Sequence, residues 1–275
     1  MKSIQDFGRD LILSQDLDPI YSMLVGARRA GLLDDAQTKR WLLAYWCFYH
    51  SGVASYIASH DMYWTTMHLA AANTPERPAP NGGRWPRAPE RRHFRGQKCI
   101  DAVSWLLDET PEKRVESLYQ ALSPNSNAPP TLKTVVTRAS AWPQFGPWIG
   151  FKAADMLERV LGVPVEFPSD LGLMYEGPRD ALELLPEVAR ELETPSEAYN
   201  GLLEHFAQYP APPGLDRPCG PQEVETILCK WKSHVNGGYE VWKDTRELRH
   251  HLHGWGGLAA EMEQFVPSIE AMNAA

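Results

Sequence analysis

The sequence PQFGPWIGFKAADML occupies residues 143–157 and joins a stiff turn to the start of a helix. Its first half holds two prolines and two glycines, which favour a tight turn, and its second half is rich in helix-forming residues. The preceding residues 131–141 repeat apolar positions at three- and four-residue spacing, which predicts a helix. We therefore expect a helix-hairpin-helix, with one helix ending near Trp142 and the next beginning near Phe151.

The turn between these two helices is a candidate DNA-binding element. Glycines let a backbone approach a phosphate closely, and the first N–H groups of a helix attract an anion. We expect Gly146, Trp148 and Gly150 to contact DNA. An ordinary helix–helix corner that binds no ligand is the alternative explanation of the same pattern.

Composition limits where such a contact can form. The chain has 275 residues, of which 43% are hydrophobic, enough for one large domain or two small ones. Its net charge of −8 argues against general nucleic-acid binding, so a DNA contact must depend on a local basic patch. The four cysteines lack metal-site spacing, the first ten residues are polar, and no apolar run is as long as a membrane span. We expect a reduced, cytoplasmic protein.

Helical periodicity dominates the chain and predicts an all-α protein. Residues 36–59 are apolar on almost every side, which is typical of a buried helix, and only GVPVEF (162–167) favours an extended segment. We expect one mainly helical domain over 1–275, with a basic loop at 73–98 and the hairpin at 131–170; a division into two lobes is left open. Further helices are expected at 97–108, 112–122, 151–161, 179–193, 196–208, 221–232 and 243–253.

The segment GGRWPRAPERRHFRGQK (82–98) carries six cations against a single acid, Glu90. Guanidinium groups bind phosphate in a bidentate manner, and the interleaved aromatic rings are suited to stacking on bases. This pattern predicts a phosphate-binding loop, and a solvated basic loop is the alternative. The cations are Arg84, Arg87, Arg91, Arg92, Arg95 and Lys98.

Three other segments carry candidate polar groups. ETILCKWKSH (225–234) predicts an amphipathic helix, on which Lys230 and Lys232 are candidate cations. YWCFYHSG (45–52) offers Tyr49 and His50 as cleft-lining groups, although polar groups in such helices are more often satisfied within the core. The histidines of RHHLHGWGG (249–257) have no i, i+4 pair, and we expect no metal there.

The residues after the hairpin strengthen the case for DNA. Asp170 follows Lys152 by eighteen positions. This order resembles the helix-hairpin-helix–Gly/Pro–Asp motif of the DNA glycosylase superfamily, although Trp148 stands where that motif has a glycine. The resemblance implies that Lys152 occupies the position of the Schiff-base nucleophile of bifunctional members, and Asp170 that of the aspartate that stabilises charge at the flipped nucleotide. The matching residues are Pro147, Ile149, Gly150, Lys152, Ala154 and Asp155.

A narrower resemblance covers most of the chain. The YWCFYHSGVAS helix, the ERRHFRG loop, the hairpin with its aspartate and the ETILCKWKSH segment together resemble the alpha-glutamyl/putrescinyl thymine pyrophosphorylases, the amino acid:DNA transferases of bacteriophages. This resemblance implies transfer of an amino acid or amine, glycine being the simplest, onto 5-pyrophosphoryloxymethyluracil in phage DNA. Pyrophosphate is displaced, and the base is flipped out of the duplex. The implied partners are DNA with modified thymine and an amine co-substrate; no cofactor, metal or membrane is expected.

The resemblance also implies roles for individual residues. Asp170, Lys152 and His93 are the candidate catalytic residues. Two alternatives stay open: a DNA glycosylase/lyase that uses Lys152 as nucleophile, and a non-catalytic DNA-binding module. The candidate substrate- and pyrophosphate-binding residues are Arg91, Arg92, Arg95, Lys230, Lys232, Tyr49 and His50.

Overall fold

A computed structural model describes residues 2–124 and 128–268. Within these ranges the regular structure is helical, with sixteen α-helices and two short 3₁₀ helices and without a named strand, which confirms the all-α prediction. The segment 162–167, expected to be extended, forms no strand there, and only Glu166 makes an isolated bridge to Thr131. None of the described helices is long and apolar enough to cross a membrane.

The α-helices have the following bounds in chain order: α1 Ile4–Leu13, α2 Pro19–Arg29, α3 Asp35–Phe48, α4 Ser51–Ala58, α5 Tyr63–Ala72, α6 Gln97–Asp108, α7 Glu116–Leu122, α8 Leu132–Ser140, α9 Pro147–Arg159, α10 Leu171–Met174, α11 Glu176–Glu183, α12 Pro186–Ala189, α13 Pro195–Phe206, α14 Pro221–Val235, α15 Lys243–Leu252 and α16 Gly257–Glu263. The predictions at 97–108, 196–208, 221–232 and 243–253 are confirmed within a few residues. The predicted helix at 179–193 is wrong, because Pro186 begins a separate helix.

The described residues form two compact units. The first unit comprises the described parts of Met1–Val25, Phe167–Glu247 and Val266–Ala275, and the second comprises those of Gly26–Glu166 and Leu248–Phe265. The single domain over 1–275 stays a prediction.

The first unit is built on the apolar faces of α1, α13 and α14. In α1, Phe7 and Leu11 lie on one face and are fully buried. Gly8 of the same face packs against Phe206, since a Cβ there would lie 2.3 Å from the Phe206 ring. Helix α13 begins at a capping box, in which Thr194 and Glu197 each accept a backbone N–H of the other. This packing gives the first unit its own core.

The second unit contains a helix break that the sequence did not predict. The single helix expected over 36–59 is wrong, because α3 ends at Phe48 and α4 begins at Ser51. Tyr49 takes a left-handed conformation, with φ of 51°, and ends α3. His50 is extended and caps α4, since its Nδ1 accepts the Val53 N–H at 3.3 Å. The break therefore turns Tyr49 and His50 away from regular helix positions.

The predicted hairpin is present in the second unit as α8 and α9. The second helix begins at Pro147, four residues before the predicted start, with Gly146 as its N-cap. Gly150 is buried, and a Cβ on it would lie 2.9 Å from the Val136 Cα atom of α8. The missing side chain of Gly150 thus lets two helices touch, and the contact of Gly150 with DNA stays a prediction.

Replacing Gly150 by alanine tests this packing. We expect Gly150→Ala to lower the free energy of unfolding by about 1–3 kcal/mol, because the new methyl group meets the Val136 backbone, which cannot move as a flexible side chain can. Gly146→Ser is the matched control, since a Cβ at Gly146 has open space and serine is a good N-cap. Urea unfolding measures both, and equal stability of the two variants would contradict the assignment.

Candidate functional site

Arg91 joins three separate segments of the second unit. It lies at the end of the 3₁₀ helix Pro89–Arg91 and is only 2% exposed. Its Nε donates to the Cys47 carbonyl at 3.0 Å, and its Nη1 donates to the Gln144 carbonyl at 2.9 Å. Cys47 lies in the last turn of α3, where helical carbonyls lack partners and the helix dipole favours a cation. Arg91 therefore fixes the basic loop to the end of α3 and to the hairpin turn.

The buried guanidinium groups of this loop have no carboxylate partner among the described residues. Arg87 donates to the Ala70 carbonyl at 3.0 Å, and burial lowers the pKa of Arg87 to about 10, with Arg95 and Arg91 adding repulsion. Burial also lowers the pKa of Arg91. One terminal nitrogen of each guanidinium has no hydrogen-bond partner. Unneutralised positive charge of this kind favours a bound anion nearby.

The three arginines predicted to bind pyrophosphate lie in different environments. Arg92 and Arg95 are exposed, and Arg92 donates to the Pro89 carbonyl of its own loop at 3.1 Å. Arg91 is instead enclosed between the Phe94 and Phe145 rings, at 4.6 and 5.3 Å from their centroids. Arg91 is therefore held by two carbonyl groups and two rings, and a direct contact of the three arginines with pyrophosphate stays a prediction.

His93 lies on the exposed side of the same loop. Its Nε2 is 3.5 Å from Nη1 of Arg91. Partial burial, followed by the charges of Arg91 and Arg92, lowers the pKa of His93 below the usual 6.5. His93 is therefore mainly neutral at neutral pH, and an arriving anion would offset the repulsion and favour its protonated form.

The hairpin turn carries an exposed aromatic side chain. Trp148 lies in the first turn of α9 and is 41% exposed. Its ring centroid is 4.9 Å from that of the half-buried Tyr49, which lies 4.5 Å from the Tyr45 ring. Gly146 lies two residues before Trp148, and no atom lies within 4 Å of the position that a Cβ on Gly146 would occupy. The structure thus brings together Tyr49 and Trp148, two residues that the sequence placed in separate sites.

Lys152 lies on α9 beside a buried acid. Its Nζ is 4.0 Å from a carboxylate oxygen of Asp155 and 5.6 Å from the Phe151 ring centroid. The Lys152 side chain is 12% exposed, and the Asp155 side chain is 5% exposed. Lys152 therefore neutralises a buried carboxylate, a role that its position in the motif did not indicate.

Asp170 is exposed in the first unit, at the N-cap position of α10. Two residues later, the Gly172 N–H donates to the hydroxyl of the buried Tyr199 at 3.1 Å. Burial raises the pKa of Tyr199 to about 12, with further contributions from Glu225 and Asp170. An exposed carboxylate is chemically able to accept a proton from an amine.

The two lysines predicted to bind pyrophosphate are ion-paired within the first unit. Lys230 Nζ lies 2.7 Å from an Asp244 oxygen, 2.5 Å from the Asp16 carbonyl and 2.9 Å from the Tyr239 hydroxyl. Lys232 Nζ lies 2.5 Å from Asp180. Both lysines are thus paired with a carboxylate, and their contact with the substrate stays a prediction.

His50 belongs to a buried aromatic cluster in the second unit. It is 7% exposed, and its ring stacks on that of His251 with centroids 4.1 Å apart. Trp255 packs on the same ring at 5.9 Å. His50 is thus a helix cap within a packed aromatic cluster, and its role in lining a cleft stays a prediction. Among the described residues, no three His, Cys, Asp or Glu side chains are grouped so that they could hold a metal ion.

Comparison with known proteins then decides the family. Residues 12–238 match the family model described as amino acid:DNA transferase. The chain belongs to this family. It is 40% identical to a glycinyltransferase of Pseudomonas phage PaMx11, over 97% of this chain and 96% of the relative. It is 24% identical to a putrescinyltransferase of Delftia phage PhiW-14, over 93% of this chain and 80% of the relative.

The family assignment confirms two of the predictions made from sequence. The resemblance to the phage amino acid:DNA transferases is confirmed, and so is the class of activity, an enzyme that transfers an amino acid to DNA. The residues that carry out the reaction stay predictions, as does the modified thymine. The sequence named Arg87 among the cations of the loop but did not indicate its partial burial, because that burial depends on Phe48 and on the Ala70 carbonyl, which are distant in the chain.

The stacked histidines predict a pH-dependent stability. Burial, followed by His251 and His250, lowers the pKa of His50 to about 3, and burial with His250 lowers that of His251 to about 4. In the unfolded chain both titrate near pH 6.5. Between about pH 6.5 and about pH 4, the unfolded state therefore binds more protons than the folded state. The contribution of these histidines to the free energy of unfolding is complete above about pH 6.5 and decreases as the pH falls towards about 4.

We expect His251→Phe to reduce this loss, because phenylalanine keeps the stacked ring and removes the titrating group. Between about pH 7 and about pH 5, the decrease in unfolding free energy should shrink by about 1–2 kcal/mol. His253→Phe is the control, since His253 is exposed in the same segment. Urea unfolding at both pH values measures the effect, and the same pH dependence in wild type and His251→Phe would rule out the explanation.

Proposed function

We propose that the chain transfers glycine onto 5-pyrophosphoryloxymethyluracil in phage DNA and releases pyrophosphate, in the cytoplasm of the infected bacterium. The relative that is 40% identical is a glycinyltransferase, which supports glycine as the amine. One structural observation supports the polyanionic leaving group. It is the group of arginines around Arg87 and Arg91, which has no carboxylate partner among the described residues and is joined to the hairpin turn.

The leaving group would be held by the exposed face of the basic loop. The glycine nitrogen attacks the exocyclic methylene carbon, the new C–N bond forms, and the C–O bond breaks with its electron pair on pyrophosphate. Arg92 and Arg95 bind this polyanion, and Arg91 positions them through its two carbonyl contacts. His93 becomes protonated as the anion binds and donates its proton to the departing oxygen.

The amine must lose a proton to react. We assign this step to Asp170, the exposed carboxylate at the N-cap position of α10. Lys152 contributes positive charge beside the hairpin and does not act as a nucleophile. Lys230, Lys232 and His50 are left out of the substrate contacts, because each is already held by the partners described above.

DNA would be engaged by the hairpin. Gly146 and Trp148 lie at the N-terminal end of α9, where free amide groups and the helix dipole favour a phosphate. Because the target carbon is on a base, the nucleotide is flipped out of the helix before reaction. The turn and the basic loop then hold neighbouring parts of one substrate, the backbone and the pyrophosphate.

Product analysis tests this function. DNA carrying 5-pyrophosphoryloxymethyluracil is incubated with the protein and an amino-acid mixture, and its nucleosides are analysed by mass spectrometry. We expect an intact backbone and a base that has lost pyrophosphate and gained glycine. Abasic sites, strand breaks or a borohydride-trapped lysine adduct would instead indicate a glycosylase. Reaction only with a different amine would overturn the assignment of glycine.

Single-turnover rates with variants assign the residues in the same experiment. Asp170→Asn should slow transfer by about 100-fold or more, the usual effect of a lost general base. Arg95→Ala should slow pyrophosphate release more than it weakens DNA binding, whereas Arg84→Ala is the control with the same charge change in the same exposed loop. Full activity of Asp170→Asn would remove that residue from the mechanism.

A further inference from the structure

Trp148 is an unusual side chain to leave in water. Among the exposed large hydrophobic residues of the described chain, it is the only aromatic one. An indole ring presents a large apolar face with one polar atom, which suits it to contact a flat ligand. The ring lies in the first turn of α9, immediately after Gly146 and Pro147, so it projects from the turn that begins the helix.

The protein holds this ring in a defined place. The Tyr49 ring supports it at 4.9 Å between centroids and an interplanar angle of 58°. Tyr49 itself packs on Tyr45 in a tilted arrangement at 4.5 Å, and Tyr45 stacks on the fully buried Trp41 at 5.1 Å. The series of four rings, Trp41, Tyr45, Tyr49 and Trp148, therefore runs from the core to the surface. A ring positioned in this way loses little conformational freedom when a flat ligand stacks on it.

The charged surroundings of Trp148 identify that ligand. The same hairpin turn accepts a hydrogen bond from Arg91 through the Gln144 carbonyl, so the loop with the exposed Arg92 and Arg95 is fixed to it. An exposed aromatic ring on a turn that is hydrogen-bonded to an arginine-rich loop matches a nucleobase attached to phosphates. An apolar protein helix would not make use of the arginines in that loop.

We propose that Trp148 stacks on an unpaired base of the DNA substrate, with Tyr49 as the positioning residue behind it. When the target nucleotide leaves the duplex, its former partner loses its base pair and the adjacent bases lose a stacking contact. Trp148 replaces that contact. The inference rests on DNA as the substrate, which the family supplies, and it does not depend on glycine or pyrophosphate.

Binding measurements without any transfer chemistry test the stacking. The probes are a short single-stranded oligonucleotide and a strand of equal length made of abasic nucleotides, which keeps the phosphates and lacks the bases. Trp148→Ala should weaken binding to the first probe by about tenfold and leave binding to the abasic strand unchanged. The salt dependence of binding should stay the same, because no phosphate contact is lost. Trp148→Phe keeps a ring and should bind within about threefold of wild type.

The alternative outcomes are distinct. Unchanged affinity of Trp148→Ala for the base-containing strand would overturn the proposal, and so would an equal loss on the abasic strand, which indicates a backbone contact. If Trp148→Ala unfolds, Trp148→Phe still tests the stacking, because DNA should quench tryptophan fluorescence in wild type and much less in Trp148→Phe. Equal quenching in both would reject stacking. Absence of glycine transfer in the product assay would leave these binding results unaffected.

Discussion

The candidate site depends on the hydrogen bonds that the buried guanidinium of Arg91 donates. It donates to the Cys47 carbonyl at the end of α3 and to the Gln144 carbonyl in the hairpin turn, and it lies between two phenylalanine rings. Hydrogen bonds from a charged donor contribute about 1.5–3 kcal/mol each. Since no carboxylate among the described residues neutralises Arg91, the end of the α3 dipole and the two carbonyls supply the compensation.

This arrangement reconciles an acidic chain with a nucleic-acid substrate. A net charge of −8 repels DNA at long range, so binding must come from a local region where positive charge is concentrated. The lysines of α14 do not provide that region, because Asp244 and Asp180 neutralise Lys230 and Lys232. In the basic loop, by contrast, the arginines pair with carbonyl groups or face solvent, and we propose this loop as the region that binds the phosphates of the substrate. Backbone acceptors hold the guanidinium groups in place without removing their charge.

The sequence predicted the parts of the fold that are governed by local rules. The hairpin was recognisable because glycine and proline lie between two segments of helical period, and the helix at Gln97–Asp108 followed from its apolar spacing. The helix break at Tyr49 was not recognisable from the sequence, because no local sequence pattern places a tyrosine in the left-handed region. Tertiary contacts of its ring with Tyr45 and Trp148 stabilise this conformation. Composition alone made residues 36–59 look continuous.

The candidate site residues also differed in how far local sequence patterns could predict their environment. Sequence located the basic loop, yet it could not tell that Arg91 is buried while Arg92 and Arg95 face solvent, since this follows from carbonyls contributed by Cys47 and Gln144. Partners far along the chain likewise determine which lysines are free: Lys230 contacts Asp16, more than two hundred residues earlier. The left-handed backbone of Tyr49 and the first turn of α9 bring the Tyr49 and Trp148 rings together, which no sequence motif indicates.

Hydrogen–deuterium exchange of Arg91→Lys tests the central claim most directly, because lysine keeps the charge and lacks the planar guanidinium whose Nε and Nη1 donate to the two carbonyls. The account predicts faster exchange in the basic loop at 84–98 and in the hairpin turn at 141–146 together, with α13 of the first unit unchanged. Arg92→Lys, on the exposed face of the loop, should leave both segments as in wild type. Faster exchange confined to the loop, or no change in either segment, would contradict the role of Arg91 as the connection between them.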